Sequence, residues 1–154
     1  SIGQHSLEYR MIGPRPDAAP TLVLLHEGLG CVGLWGDFPE KLQAATGCGV
    51  LVYSRAGYGQ SSRVTLPRPL TYMHDEARDA LPTLLDNIGF RRGLLVGHSD
   101  GASIAAIYAG THQDHRLGGL GPDRTHLERG RFFTGPNSRG RCPGRGRTRH
   151  QRRG

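Results

Sequence analysis

The chain has 154 residues, 36% of them hydrophobic, and a formal net charge of +7 at pH 7, which allows one domain with an ordinary core. It contains no run of 18 apolar residues and no signal-peptide pattern, so neither a membrane span nor a membrane partner is expected. Cys31, Cys48 and Cys142 form no C-x-x-C pair, which excludes common zinc motifs and predicts free thiols in a cytoplasmic protein.

The charge is distributed unevenly between two parts of the chain. Residues 1–114 carry nine Lys or Arg and eleven Asp or Glu, whereas residues 115–154 carry eleven Arg and two acids together with nine Gly and three Pro. A segment of the second composition buries too little apolar surface to offset its chain entropy. We therefore predict a globular domain over residues 1–114 and a disordered, basic Gly/Arg-rich tail over residues 115–154.

Apolar patterning in the first 114 residues predicts strands and helices that alternate along the chain. The predicted strands comprise residues 6–12, 21–26, 50–53 and 94–96. The predicted helices comprise the segment between Asp37 and Gly47 and residues 71–88 and 102–109. This alternation predicts a parallel sheet covered by helices on both faces, which is an α/β fold.

Local signals mark the ends of these helices. Asp37 and Glu40 have the spacing of a capping box at the start of the first helix, and Gly47 is its stop signal. Gly110 is the stop signal of the last helix, and Pro82 predicts a bend in the middle one.

A serine lies between two glycines at G-x-S-x-G spacing in residues 94–103, LLVGHSDGAS. The strand before it and the helix after it place Ser99 on a sharp turn, here called the elbow (residues 97–101), with its hydroxyl exposed. Gly97 and Gly101 suit that turn because side chains there would clash with the neighbouring strand or helix. The backbone N–H groups of Asp100 and Gly101 lie at the helix N-terminus, where they could hold a developing oxyanion. This context favours a nucleophile over a chance match to a short motif.

Three glycine-bearing motifs follow predicted strands: LLHEGLG at residues 24–30, RAGYGQS at residues 55–61 and GHSDG at residues 97–101. In type and in chain order they resemble the motifs of the α/β-hydrolase superfamily. The resemblance covers about residues 6–112 and implies that Ser99 is the nucleophile. It also implies that the oxyanion is held by the backbone N–H groups of Asp100 and of Gly28, or of Leu29.

The same resemblance implies the class of reaction. A serine nucleophile points to acyl transfer and hydrolysis of an ester or similar bond in a small molecule, because the superfamily branches that open epoxides or haloalkanes use an acid at this position. Such a carboxylesterase-like hydrolase needs no metal and no cofactor, and none is predicted. The sequence does not predict an oligomeric state.

The chain also departs from the superfamily pattern. Glu27 stands where a second glycine is usual, and we expect its carboxylate to face outward or to pair with a cation, because only the backbone is needed there. We expect His26 to orient this loop and His98 to pack behind the turn. No histidine stands at the late position of a catalytic triad, and we do not expect Asp123, which lies near the usual position of the acid, to serve as one. The sequence therefore predicts a fold truncated after the elbow helix and a chain that lacks an active triad.

The truncation carries a structural expectation, and the tail an alternative function. With no later strand predicted, one edge of the strand at residues 94–96 is expected to be unpaired. The tail resembles segments that bind nucleic-acid phosphates, but only Phe132 and Phe133 offer stacking surface, so we favour a shifted reading frame with no nucleic-acid partner. A non-catalytic binding protein with a hydrolase-like pocket is the other alternative.

Overall fold

The structure, a computed structural model, describes residues 5–118, 125–128 and 131–134. Within these residues the chain forms a six-stranded sheet with the order β1-β3-β2-β4-β6-β5. The strands are β1 (Tyr9–Ile12), β2 (Thr21–Leu25), β3 (Gly49–Tyr53), β4 (Gly93–His98), β5 (Thr125–Glu128) and β6 (Arg131–Thr134).

The sheet is mixed, whereas the sequence predicts a parallel one. Its three central strands β3, β2 and β4 are parallel, as predicted. Strand β1 pairs with β3 in the antiparallel sense, and so does β6 with β4. The parallel expectation fails at the edges because it assumes a helical crossover between successive strands, and the antiparallel neighbours need none.

The edge of β4 is covered, so the expectation of an unpaired edge is wrong. Residues Leu95 to His98 of β4 pair with Thr134 to Arg131 of β6, and β5 pairs with β6 in turn. Composition missed these two four-residue strands because a ladder is made by backbone N–H and C=O groups, which almost any sequence supplies. The rest of the segment predicted to be a disordered tail lies outside the described residues.

Helices connect the central strands along the chain, and one more helix follows β4. They are a 3₁₀ turn (Val32–Trp35), α1 (Phe38–Thr46), α2 (Tyr72–Asp75), a π-helical turn (Glu76–Ala80), α3 (Leu81–Asn87) and α4 (Asp100–Thr111). Residues 72–87 thus run as one helical segment with a π turn just before Pro82. A proline removes one backbone N–H and crowds the carbonyl four residues earlier, and the wider π turn accommodates both effects.

Two of the predicted helix signals are wrong and one is confirmed. Gly47 ends α1 in the left-handed conformation with φ of 70°, as expected of a C-terminal glycine. The Asp37 side chain makes no capping hydrogen bond and instead pairs with Lys41, while Glu40 pairs with Arg10, so there is no capping box. Gly110 lies inside α4, which continues to Thr111.

Both faces of the sheet are covered, as predicted. On one face, alternate residues of the central strands pack against α3 and α4; this cluster includes Val23, Leu51, Leu95, Leu85 and Ile104. On the other face, Leu24, Val52 and Val96 pack with the 3₁₀ turn and α1. This period-two division of each strand between two cores is what a sheet covered on both faces requires.

Two further expectations concern the cysteines and the membrane. Cys31 is a free thiol, but Cys48 is disulfide-bonded, so the prediction of free thiols is wrong for Cys48. Patterning cannot exclude a disulfide, because pairing depends on distance in the fold rather than on spacing along the chain. None of the helices in the described part of the chain is long and apolar enough to cross a bilayer.

Candidate active site

The three motif loops meet at one edge of the sheet. They follow β2, β3 and β4, which are parallel and therefore end on the same side. Leu25, the last residue of β2, is in register with Gly97 of β4, so the loop beginning at His26 lies beside the turn that carries Ser99. The carboxyl ends of parallel strands are the usual place for ligand sites in α/β sheets.

Ser99 occupies a strained position at the junction of β4 and α4. Its φ of 52° and ψ of −117° make it the one residue other than glycine with positive φ in the described part of the chain. Its carbonyl accepts hydrogen bonds from the N–H groups of Ala102 and Ser103, at 2.9 and 3.1 Å, and its side chain is exposed. A positive φ on a serine costs of the order of 1 kcal/mol or more and is found mostly at functional sites.

The glycines on either side of Ser99 allow backbone segments to touch. A Cβ added at Gly97 would lie closer than 3.0 Å to Ala102 N, and one added at Gly101 would also lie closer than 3.0 Å to the carbonyl oxygen of Leu25. Real Cβ atoms essentially never approach a neighbour so closely. The predicted reason for both glycines is therefore confirmed: a side chain at either position would push apart β2, β4 and α4.

The loop after β2 lies beside the residue that follows Ser99. A Cβ built on Gly28 would lie 2.9 Å from Oδ2 of Asp100, so a side chain at position 28 would crowd the carboxylate of the residue that follows the serine. Leu29 is 87% exposed and extends away from the core. The Asp100 carboxylate accepts a hydrogen bond of 2.5 Å from the Tyr72 hydroxyl, and this bond raises the pKa of Tyr72.

Two buried side chains hold the backbone of this loop. The Arg55 guanidinium donates to the carbonyl of His26 at 2.6 Å and to that of Glu27 at 3.0 Å. The His26 ring accepts from the Arg55 backbone N–H at Nε2, at 3.0 Å, and lies 2.6 Å from the Glu27 carbonyl at Nδ1. The ring is therefore neutral with its proton on Nδ1. The expectation that His26 orients the loop is confirmed.

Burial holds His26 in this neutral form. Desolvation, followed by the nearby charge of Arg55, lowers the pKa of His26 from 6.5 to about 4. Its ring also packs edge-on against Tyr58, with centroids 5.2 Å apart.

The carboxylate of Glu27 faces outward, as expected. Its Oε2 lies 3.6 Å from Nδ1 of His98, and both side chains are 46% exposed. The expectation that His98 packs behind the turn is therefore wrong, because its side chain lies at the surface beside Glu27. The two line a cavity of about 160 Å³ with His26 and Trp35.

The Ser99 hydroxyl has no hydrogen-bonding partner among the described residues. His26 has both ring nitrogens engaged by the backbone, and His98 faces Glu27. His112 stacks on Tyr108, while His126 and His150 belong to segments whose side chains lie outside the described part. Within the described residues, no group of three or more His, Cys, Asp and Glu side chains is arranged to hold a metal ion.

Sequence reasoning missed Arg55 and Tyr72 as members of the site. Arg55 stands in the motif RAGYGQS, which signals a loop of this site but gives no partner for the arginine. Tyr72 lies in a predicted helix and carries no motif. Both contacts join residues 28 or more positions apart, so only the fold brings them together.

Known proteins of this architecture match the chain. The family model described as alpha/beta hydrolase fold matches residues 20–120, which is more than half of the chain and includes all three motif loops. The chain belongs to the α/β-hydrolase family.

Individual relatives cover a range of hydrolytic enzymes. The chain is 31% identical over 104 residues to the proline iminopeptidase of Lactobacillus acidophilus, an alignment that covers 68% of this chain and 35% of that protein. It is 30% identical over 110 residues to epoxide hydrolase B of Mycobacterium tuberculosis, covering 70% of this chain and 30% of that protein. The chain thus spans about a third of the length of these curated relatives.

Solved structures agree on the fold. The enol-lactonase of Burkholderia xenovorans superimposes with a TM-score of 0.63 at 24% identity, over 76% of this chain and 42% of that one.

Proposed function

We propose that Ser99 is the nucleophile of a serine hydrolase that cleaves an ester or similar acyl bond in a small molecule. The observation that carries this proposal is the positive φ of Ser99 on an exposed strand-to-helix turn between two glycines that cannot be replaced without a backbone clash. That geometry lifts the hydroxyl out of the core and keeps it beside the N-terminus of α4. A cytoplasmic location remains a prediction, although the disulfide at Cys48 removes part of its basis.

The mechanism follows from the charge that develops on the substrate. Attack of the Ser99 oxygen on an acyl carbon makes a tetrahedral oxyanion, and backbone N–H groups at about 2.7–3.1 Å stabilise it. In this proposal the donors are the N–H groups of Asp100 and of Gly28, or of Leu29. Because no histidine of the described residues forms a hydrogen bond with the Ser99 hydroxyl, water accepts the hydroxyl proton and returns a proton to the leaving alkoxide, which departs as the alcohol. A second water molecule then hydrolyses the acyl-enzyme, releasing the carboxylic acid and restoring the Ser99 hydroxyl. Opening of an epoxide is not proposed, because position 99 carries a hydroxyl rather than a carboxylate.

A non-catalytic binding protein is the second candidate. It is favoured by one observation, the absence of a hydrogen bond from the Ser99 hydroxyl to any histidine among the described residues. A serine without a general base is a weak nucleophile, so even as an enzyme this chain is expected to react slowly. As a binding protein, it would use the cavity beside His98 and Trp35 for recognition alone.

Labelling with a fluorophosphonate distinguishes the two candidates. We expect slow incorporation of one phosphonyl group at Ser99, found by intact mass and peptide mapping after long incubation. Ser99→Ala should abolish it, whereas Ser103→Ala, which removes an exposed serine on the same helix, should leave it unchanged. Labelling that survives Ser99→Ala contradicts the proposed nucleophile, and no labelling at any concentration supports the binding protein.

A further inference from the structure

The charge of Arg55 is buried beyond salt-bridge distance of the acidic group that it acts on, Glu76, where burial raises the carboxyl pKa and Arg55 opposes that rise. The Arg55 side chain is 1% exposed, and it forms no ion pair with any carboxylate in the described part of the chain. An unpaired buried charge is costly unless strong hydrogen bonds replace its water. The Nε atom makes no hydrogen bond either, so the guanidinium is held by two carbonyl groups and by its position over the Tyr58 ring, 5.3 Å from the centroid.

Those two carbonyls belong to consecutive residues of the loop after β2. The guanidinium binds the oxygens of His26 and Glu27 together, and the Glu27 oxygen also accepts from Nδ1 of His26 and from the N–H of Gly30. The plane of the peptide that joins Glu27 to Gly28 is therefore fixed from one side by several donors.

The orientation of that peptide determines where the Gly28 N–H points. The one cis peptide bond in the described residues is Leu66–Pro67, so the bond from Glu27 to Gly28 is trans. In a trans peptide the C=O and N–H groups point in opposite directions. Because the carbonyl of Glu27 faces Arg55, the N–H of Gly28 faces away from it. The Asp100 carboxylate occupies the space that a side chain at position 28 would need, so Gly28 lies next to the residue that follows Ser99.

We propose that Arg55 is a positioning residue of the oxyanion hole: by holding the carbonyls of His26 and Glu27 it turns the Gly28 N–H toward the reacting oxygen beside Ser99. This inference rests on the proposed function and adds a residue to it. Arg55 contacts no substrate; it acts through the peptide. Its positive charge on the carbonyl side also polarises that peptide and strengthens the N–H as a donor.

A positioning role predicts a specific kinetic change. Loss of one oxyanion donor slows catalysis about 100- to 1000-fold, and the donor acts on the transition state rather than on the bound reagent. Arg55→Met should therefore lower the maximal rate of Ser99 phosphonylation about 100-fold, with less than a threefold change in the fluorophosphonate concentration that gives half this rate. Arg55→Lys keeps one charged donor, so its maximal rate should lie between that of the wild type and that of Arg55→Met.

Arg68 provides the matched control. Its guanidinium lies in the same region, 4.7 Å from the Tyr58 centroid, and binds the carbonyl of Ala56, but it does not contact Glu27. Arg68→Met should change the maximal labelling rate less than threefold. If Arg55 were merely structural, Arg55→Met would lower the maximal labelling rate and the apparent affinity for the fluorophosphonate together, or would change the rate no more than Arg68→Met does. Either result would contradict the positioning role.

Crystal structures of the full-chain Arg55 variants give a readout that needs no reaction. In Arg55→Met, or in Arg55→Lys if the methionine variant does not fold, we expect the peptide of residues 27–28 to rotate so that the Gly28 N–H leaves the elbow. An unchanged peptide, or an unchanged maximal rate in a folded variant, overturns the inference. If the unmodified protein shows no labelling at Ser99, the proposed nucleophile fails separately, and the peptide orientation alone decides the role of Arg55.

Discussion

The two halves of the candidate site are held in place by opposite means. The elbow that carries Ser99 depends on side chains that are absent, since the backbones of Gly97 and Gly101 touch neighbouring segments. The loop that carries Gly28 depends on side chains that are present, since Arg55 and His26 form hydrogen bonds with its carbonyl oxygens. The elbow should therefore tolerate no added atom, whereas the loop should respond to charge and to pH.

The largest expected effect is at the elbow. Gly101→Ala places a Cβ against the Leu25 carbonyl, which cannot move without separating β2 from α4, so we expect a loss of about 3 kcal/mol or more in the free energy of unfolding. Gly110→Ala is the control, because nothing lies within 4 Å of a Cβ at this helical glycine, and it should stabilise the protein by about 0.5–1 kcal/mol. Urea denaturation measures both, and equal stability of the two variants would show that the elbow is not crowded.

This contrast explains what could be predicted from the sequence. The strands at residues 21–26, 50–53 and 94–96 and the serine turn are local patterns, because apolar runs and the glycine spacing reflect burial and crowding near each residue. The hydrogen bonds from Arg55 to the loop are not a local pattern. Arg55 and Glu27 follow different strands, and neither segment of the sequence indicates that it contacts the other. Strand β6 was missed for a similar reason, since its pairing with β4 uses backbone groups alone.

The second prediction tests the loop through the protonation of His26. Its pKa is about 4 in the folded protein against 6.5 for an ordinary histidine, so between these values the unfolded chain binds more protons. The stabilisation is complete above pH 6.5 and is lost as the pH falls toward 4, by about 1.4 kcal/mol per unit and up to about 3 kcal/mol in total. Protonation puts a hydrogen on Nε2, which then cannot accept from the Arg55 N–H.

The comparison with His26→Gln isolates this effect from other titrating groups. The raised pKa of the buried Glu76 and the lowered pKa of Asp114 are present in both proteins. The difference in the free energy of unfolding between the wild type and His26→Gln should therefore shrink as the pH is lowered from 7 to 4. Parallel stability curves over this range would mean that His26 does not titrate in the way that the loop contacts require.

The smallest effect is expected where a side chain supports the elbow. Tyr72→Phe removes the hydrogen bond to the Asp100 carboxylate. Because this bond is partly exposed, water can replace the lost donor, and we expect the free energy of unfolding to fall by about 1 kcal/mol. Thermal or urea unfolding gives the value. A loss as large as that of Gly101→Ala would show that side-chain hydrogen bonds, rather than backbone contacts, hold the elbow.

The crystal structure of the protein after reaction with a fluorophosphonate tests the central claim most directly, because it shows both halves of the site around one oxygen. We expect phosphorus bonded to the Ser99 oxygen, with the phosphoryl oxygen about 3 Å from the backbone nitrogens of Asp100 and of Gly28 or Leu29. Phosphorus on another residue, or a phosphoryl oxygen that points away from both backbone donors, would contradict the account.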